Sequence, residues 1–238
     1  MHTIALIAAK EFKSYLTSPM AYIVTGIFLI LTGTFFSTYL ATISYSDTTI
    51  AGFVSPGNIL LLLFAAILTM RLIAEEKKMG TLELLLTSPV RDTEVIVGKF
   101  LGSVAVLCCM LILTLYYPLL LMVFGDPDMG PIWTSYLGLF LLGSAALAIG
   151  SFASSLSSNQ IVAAVVAGGI LFALWFVGIA ADFVPDALAE IINYLSLSYH
   201  FSGFSIGIID TRDIIYYFSV IVLFLYFAIR TLETSRWR

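Results

Sequence analysis

The stretch Glu75–Lys99, EEKKMGTLELLLTSPVRDTEVIVGK, is the only long charged passage in an otherwise apolar chain of 238 residues. It predicts a short helix, because Thr81 can cap the free backbone N–H groups of a first turn and Pro89 cannot continue a helix. Leucines would lie on one face of this helix and a carboxylate on another. These residues are Leu82, Leu85 and Leu86 on the first face and Glu83 on the second. A helix of about two turns is unstable by itself, so it needs a membrane surface or a partner protein to lie against.

The rest of the chain is too apolar for a soluble domain. Hydrophobic residues make up 60% of the sequence and charged residues 11%, and the mean hydropathy is +1.03. Six apolar segments approach the length of about 20 residues that crosses a bilayer, and lipid requires them to be helices. We therefore predict an all-α membrane protein with one transmembrane domain over residues 1–238. Pro118 predicts a kink or an early end in the third span. The predicted spans are residues 20–42, 57–74, 97–124, 132–153, 160–181 and 214–231.

The basic residues are distributed unevenly between the predicted loops. With the N-terminus inside the cell, ten of the eleven Lys and Arg residues fall on the cytoplasmic side and only Arg212 falls outside. The loops at 43–56 and 125–131 contain aspartates but no basic residue. Because basic residues are concentrated in the cytoplasmic loops of membrane proteins, both termini and residues 75–92 are predicted to be cytoplasmic.

Residues 2–17 predict a helix that lies along the cytoplasmic interface of the membrane. Its apolar side would carry Ile4, Ala8, Phe12 and Leu16, and the side facing the lipid headgroups would carry Lys10 and Lys13. Arg71, near the end of the second span, has a side chain long enough to reach the headgroups as well. The predicted membrane-interface residues are therefore Lys10, Phe12, Lys13 and Arg71.

Residues 182–213 are apolar enough to suggest a seventh crossing, yet they contain Glu190, Asn193 and His200. A full crossing would also place the basic C-terminus outside, against the charge distribution. We predict instead an extracytoplasmic re-entrant segment, in which two short helices dip into the outer leaflet and return under cover of surrounding protein. The string Gly203–Gly207 matches G-x-S-x-G, but a nucleophile elbow needs a strand and a sheet for which this chain has no room.

No catalytic, metal or cofactor site is predicted in the chain. A phosphate-binding G-x-x-x-x-G-K-[ST] loop is absent from the sequence, so any ATP hydrolysis belongs to another polypeptide. Cys108 and Cys109 are adjacent in an apolar run and fit packing better than a disulfide or a metal site. Small residues in the fourth and fifth spans allow close helix contacts, either within one bundle or between two subunits. They are Gly138, Gly143 and Gly150 in the fourth span and Ala163, Ala164, Ala167, Gly168 and Gly169 in the fifth.

Residues Arg71–Val90 resemble the signature of ABC-2-type transporter permeases, whose first cytoplasmic loop follows the pattern E-(x)n-G-T-L-E-x-L-L-x-x-P-V. The match covers Glu76, Gly80, Thr81, Leu82, Glu83, Leu85, Leu86, Pro89 and Val90, with Gly98 and Lys99 opening the next span. The resemblance implies that residues 75–92 form a coupling-helix loop, whose matching residues from Glu76 to Pro89 dock into a cleft on a separate ATP-binding subunit. Residues 199–213 further resemble the gliding-motility-associated branch of these permeases.

The resemblance implies the permease subunit of an ATP-driven exporter in the bacterial inner membrane. Two permeases, identical or homologous, would pair around a pathway and bind two ATP-binding subunits, with room for an auxiliary subunit. The chain itself would hold no cofactor, catalyse no reaction and bind no nucleic acid, and its remaining partner is the lipid bilayer. An ion-coupled secondary transporter is an alternative, although the predicted spans lack the ionisable residues that such proteins place near mid-membrane. A membrane scaffold that works with an ATPase without transporting is another.

Overall fold

The computed structural model describes residues 2–42, 51–81, 90–124 and 127–235, and within these ranges the chain forms helices and turns without a strand. The predicted all-α architecture is confirmed. A 3-10 helix, Val177–Phe183, continues the eighth α-helix. The α-helices are α1 (His2–Thr17), α2 (Pro19–Thr42), α3 (Ala51–Thr69), α4 (Ala74–Met79), α5 (Asp92–Thr114), α6 (Tyr116–Phe124), α7 (Met129–Leu156), α8 (Gln160–Phe176), α9 (Asp186–Leu195), α10 (Leu197–Ser205) and α11 (Thr211–Ser235).

Six helical segments of the described chain are long and apolar enough to cross a membrane. Five of them contain a predicted span entirely, and the third contains all but the last residue of its predicted span. This part of the prediction is therefore confirmed. Length and apolarity locate these segments because a crossing needs about 20 apolar residues whatever it packs against. The segments are Pro19–Thr42, Pro56–Met79, Asp92–Val123, Met129–Leu156, Gln160–Phe183 and Thr211–Thr234.

The α7 helix is the centre of the bundle, and it packs against α3, α5, α8, α10 and α11. Three of its glycines allow these neighbours to approach closely. A Cβ atom at Gly150 would collide with the hydroxyl group of Thr69 on α3. A Cβ atom at Gly143 would lie 2.7 Å from a leucine of α5, and one at Gly138 would lie 2.8 Å from a phenylalanine of α10. The glycines of the fourth span therefore serve contacts within one bundle.

The small residues of α8 are divided between two environments. Ala163 and Ala167 are fully buried against the bundle. A Cβ atom at Gly168 or Gly169 would meet no other atom within 4 Å, and Val165 on the same outer side is 68% exposed. The fifth span therefore uses Ala163 and Ala167 for contacts inside the chain, leaves Ala164 half-buried, and leaves Gly168 and Gly169 toward the outer surface.

The third span is interrupted between α5 and α6, where Pro118 predicts a break. Proline has no N–H, so the carbonyl of Thr114, four residues earlier, loses its partner within the helix. The hydroxyl group of Tyr136 on α7 donates to this carbonyl oxygen over 2.9 Å. A neighbouring helix thus satisfies the backbone group that proline frees inside the membrane.

The α1 helix lies across the first half of α5 in unusually close contact. A Cβ atom at Gly98 would lie 2.7 Å from Ile7, and one at Gly102 would lie 2.7 Å from the Cβ atom of Glu11. The two glycines are four residues apart, so they form one flat patch on α5 against which the backbone of α1 rests. The two helices are therefore held together by backbone-level packing.

The packed face of α1 is rotated relative to the face that periodicity predicts. Tyr15 is fully buried and Glu11 faces α5, although the predicted apolar side included neither residue. Leu16, predicted on that side, is 46% exposed. Polar contacts cause the rotation, because Tyr15 and Glu11 both find hydrogen-bond partners on other helices. Lys10 and Lys13 are exposed, and the position of α1 in the membrane interface stays a prediction.

Two short helices, α9 and α10, occupy the segment that is predicted to re-enter the membrane. Phe201 and Phe204 of α10 are buried, and α10 packs against α7 and α8. The hydroxyl group of Thr134 on α7 donates to the Phe204 carbonyl oxygen over 2.7 Å. By contrast, α9 has no buried side chain. The pair therefore consists of one packed helix and one exposed helix, and its dip into the outer leaflet stays a prediction.

Candidate functional site

The loop that contains the predicted coupling helix leaves the bundle at the charged end, which is formed by α1, α4, the start of α5 and the end of α7. A turn after α3 leads into α4, and Ser154 of α7 supplies the N-terminal cap of this helix. Its Oγ accepts from the N–H groups of Ile73 and Ala74 over 3.0 and 3.1 Å and donates to the carbonyl of Met70 over 3.2 Å. Because Ser154 is fully buried, α4 starts from a fixed point on α7.

The remainder of α4 is attached on one side and exposed at its end. The ammonium group of Lys77 donates to the carbonyl oxygen of Ser155 on α7. Gly80 ends the helix with φ of 69°, a left-handed conformation that glycine adopts without steric cost. Met79 is 67% exposed, and Thr81 is exposed as well. The chain therefore leaves α4 on the outside of the charged end.

The structure describes three of the predicted docking residues. Gly80 and Thr81 lie on the exposed end of α4, whereas Glu76 turns toward the inside of the charged end. The other five lie outside the described residues, and their docking role stays a prediction. They are Leu82, Glu83, Leu85, Leu86 and Pro89.

Lys99 joins two carboxylates from two other helices. Its ammonium nitrogen lies 2.8 Å from Oε1 of Glu76 on α4 and 3.3 Å from Oε2 of Glu11 on α1. The Lys99 side chain is 7% exposed, so water screens these ion pairs weakly. Removing one partner of such a buried pair costs about 3–5 kcal/mol, because a charge remains without compensation. The cluster therefore holds three helices of the charged end in one arrangement.

A second set of contacts joins α1 to the end of α3 and the turn that follows it. The hydroxyl group of Tyr15 donates to the carbonyl of Leu68 over 2.7 Å. The guanidinium of Arg71 lies 4.7 Å from the centre of the Tyr15 ring and donates to the hydroxyl oxygen of Ser18 over 2.9 Å. Burial raises the pKa of Tyr15 well above its usual value and the negative charge of Glu11 raises it further, so the hydroxyl group stays protonated and donates. Arg71 therefore contacts other residues of the protein. Its contact with lipid headgroups stays a prediction.

A groove of about 460 Å³ runs between α1 and α4 at the charged end. Charged side chains of both signs line it, with hydroxyl groups of α1 along one wall. They include Lys10, Ser14, Arg71, Glu75, Glu76 and Lys99. Because the cations and carboxylates are interspersed, the groove suits neither a purely acidic nor a purely basic ligand.

Several residues of this site are not apparent from the sequence. Glu11 and Tyr15 were assigned to no role. Ser154 and Ser155 follow the predicted fourth span and were likewise assigned none, and Lys99 was noted only at the start of the third span. One feature of the sequence could have indicated this site: Lys99 lies in the first turns of an apolar helix. An ammonium group that is buried there requires carboxylate partners. The identity of those partners depends on which helices cross there.

A buried contact between a histidine and a carboxylate lies at the opposite end of the bundle. His200 of α10 is 2% exposed, and its Nδ1 lies 2.7 Å from Oδ1 of Asp213 at the start of α11. Its Nε2 lies 3.1 Å from the carbonyl oxygen of Tyr194. Ser205 of the G-x-S-x-G string lies on α10 and donates to the Ser202 carbonyl over 2.7 Å. His200 therefore fastens α10 to the last span, and the string lies on a helix without the strand that a nucleophile elbow needs.

We expect the exchange Ser154→Ala to loosen the start of α4. The N–H groups of Ile73 and Ala74 would lose their acceptor in a buried place, at a cost of about 1–2 kcal/mol. Hydrogen exchange in detergent micelles should be faster at these two amides. Ser158→Ala, in the exposed turn after α7, is the matched control. Equal exchange in both variants would show that Ser154 does not hold α4.

Comparison with known proteins gives one family match. Residues 5–202 match the model of a family described as ABC-2 family transporter protein. The matched residues include α1 from Ala5 onward, the charged end, α9, and α10 up to Ser202. No curated protein matches the chain.

Proposed function

Since the chain belongs to the ABC-2 family of transporter proteins, we propose that this permease subunit works in an ATP-driven exporter and is coupled to separate ATP-binding subunits. The family implies an ATP-binding partner, and the sequence contains no phosphate-binding loop of its own. The observation that carries the proposal is the anchoring of α4. A short helix fixed to α7 by Ser154 and to α5 by Lys99 presents the following loop at one end of the spans.

The coupling would use residues 80–90 as the contact with the ATP-binding subunit. The leucines of this stretch would fill a cleft on the partner, and Glu83 would supply a polar contact among them. Binding of ATP favours the closed pair of ATP-binding subunits, and their closure would push the loop and shift the permease between two conformations. A loop that follows α4 can transmit such a displacement to the bundle, because the start of α4 is fixed to α7 by buried hydrogen bonds.

Pairing of two permease subunits is the second part of the proposal. The outer side of α8 supports it, because Gly168 and Gly169 leave a flat surface and Ile161 beside them is 72% exposed. In lipid, such surfaces allow two helices to approach closely. A pair formed through this side would enclose a pathway between its two bundles.

The orientation is the third part of the proposal. The charged end carries most of the basic residues of the chain, and basic residues favour the cytoplasmic side. The charged end and both termini would therefore be cytoplasmic, and α9 and α10 would lie on the outer side of a bacterial inner membrane. This is the orientation in which an intracellular ATP-binding subunit can reach the loop.

Purification of the tagged chain from its native membrane in mild detergent tests the proposed function. An ATP-binding subunit should be retained in equal amount, and the complex should hydrolyse ATP. A chain that is purified intact in detergent and in lipid nanodiscs without any nucleotide-binding partner would contradict the proposal and favour an ion-coupled transporter.

A further inference from the structure

We propose that Lys99 is a positioning residue that transmits movement from the base of the coupling loop to α1. In this role Glu76 acts inside the permease, as the carboxylate through which α4 pulls on Lys99. The inference rests on the proposed function, since the ATP-binding subunit supplies the movement. It adds α1 to the elements that ATP displaces.

The geometry of Lys99 separates it from the other cations of the groove. Its ammonium group contacts carboxylates of two different helices, at 2.8 Å for Glu76 and 3.3 Å for Glu11. Arg71 instead contacts the Tyr15 ring and a hydroxyl group, and Lys10 is exposed. Among the groove cations with described contacts, Lys99 is the one that connects α4 to α1.

The two carboxylates are held in different ways. Glu11 is held by packing, because α1 rests on Gly98 and Gly102 of α5 at backbone level. Lys99 lies between these glycines in sequence, so α1 and α5 form one unit that carries the ammonium group. Glu76 lies on a helix of six residues that is held to α7 by hydrogen bonds at its start and side and is exposed at its end. The α4 side is therefore the one that can be displaced.

The ion pair can persist while α4 moves. Oε1 of Glu76 contacts Lys99, and Oε2 is buried without a hydrogen-bond partner in the described part of the chain. An ammonium group can pass from one oxygen of a carboxylate to the other without losing the charge contact. A buried carboxylate oxygen without a donor is also costly, which favours any conformation that supplies one. Glu76 thus allows a shift of α4 along Lys99 while the pull on the α1–α5 unit is kept.

The attachment of α4 to α7 defines the other side of the arrangement. Ser154 and Ser155 hold the start and the side of α4 by hydrogen bonds, which act as a pivot. A push on the loop beyond Gly80 would rotate α4 about this pivot and move Glu76 relative to α7. Lys99 would carry α1 with it.

The test measures movement of α1 by double electron–electron resonance on the complex of the full chain with its ATP-binding subunit in lipid nanodiscs. Spin labels are placed at Ala9→Cys on α1 and Ser158→Cys after α7, both exposed, with Cys108 and Cys109 replaced by alanine. ATP should change the distance between the labels by about 1–2 Å or more, the size of typical helix shifts. Lys99→Met should reduce this change to less than half, and Lys99→Arg should preserve it.

Lys78→Met is the matched control, because Lys78 is exposed on the same short helix, and the ATP-dependent change should be retained. The ATP-binding subunit should be purified in equal amount with Lys99→Met, which distinguishes loss of transmission from loss of docking.

Three results would each overturn the proposal: a full distance change in Lys99→Met, loss of the ATP-binding subunit from that variant, or no distance change in the unaltered complex. If Lys99→Met does not fold, Glu76→Gln replaces it, with the same expected reduction and the same contradicting result. Failure of the unaltered chain to bind an ATP-binding subunit would instead contradict the proposed function.

Discussion

Exchange of Glu83 for lysine is expected to release the ATP-binding subunit from the permease. Glu83 is the one acidic residue of the predicted coupling helix, and reversing a charge in the centre of an interface costs about 2 kcal/mol or more. This corresponds to a loss in affinity on the order of thirtyfold. Insertion into the membrane should be unaffected, because the residue lies between two spans and in neither. Co-purification and ATP hydrolysis measure the effect.

Glu233→Lys is the control for Glu83→Lys. It makes the same change of charge on α11, where Glu233 is 39% exposed and its ion pair with Arg230 contributes little to stability. This variant should bind the ATP-binding subunit as the unaltered chain does. If Glu83→Lys also keeps its partner and a normal rate of ATP hydrolysis, the docking assignment of residues 80–90 is wrong.

Gly150→Leu is expected to disrupt the fold of the bundle. Even the first side-chain atom at this position would collide with the Thr69 hydroxyl group and would lie 2.8 Å from the Thr69 Cβ atom. Overpacking of a well-packed core usually costs about 1–3 kcal/mol, and here the obstacle lies next to the backbone of α3, so we expect the upper end of that range or more. Unfolding by denaturant in detergent micelles measures the loss.

Gly168→Leu is the matched control for Gly150→Leu, because it makes the same exchange on the outer side of α8. A Cβ atom there meets nothing within 4 Å, so the single bundle should unfold at nearly the same denaturant concentration as the unaltered chain. If two permeases pair through α8, this variant should instead weaken the pairing. Equal destabilisation by the two exchanges would contradict the packing described for α7.

Much of the fold is predictable from local sequence. The six spans follow from apolar length, and the break after α5 follows from Pro118, because both depend on the segment itself. The loop that presents residues 80–90 is likewise marked by its charge and its motif. The docking contacts proposed for it would involve a partner protein, and so neither the sequence nor the fold of one chain contains them.

The candidate site at the charged end is predictable only in part. Glu76 is apparent from its motif, yet its contact with Lys99 joins residues 23 positions apart, and the contact of Glu11 with Lys99 joins residues 88 positions apart. These pairs exist because α1 crosses α5 at two glycines, and no periodicity in α1 reveals that crossing. The rotation that buries Tyr15 follows from its bond to a carbonyl on another helix.

The amino-acid sequence by itself determined which segments cross the membrane, which stretch between them is charged, and to which family the chain belongs. These properties are sums over neighbouring residues, such as apolar length and motif spacing. Only the tertiary structure decided that Gly150 is a contact and Gly168 a free surface, and that Lys99 joins α4 to α1. Two glycines or two lysines are chemically identical in sequence, and what distinguishes them is which distant helix lies within a few ångström.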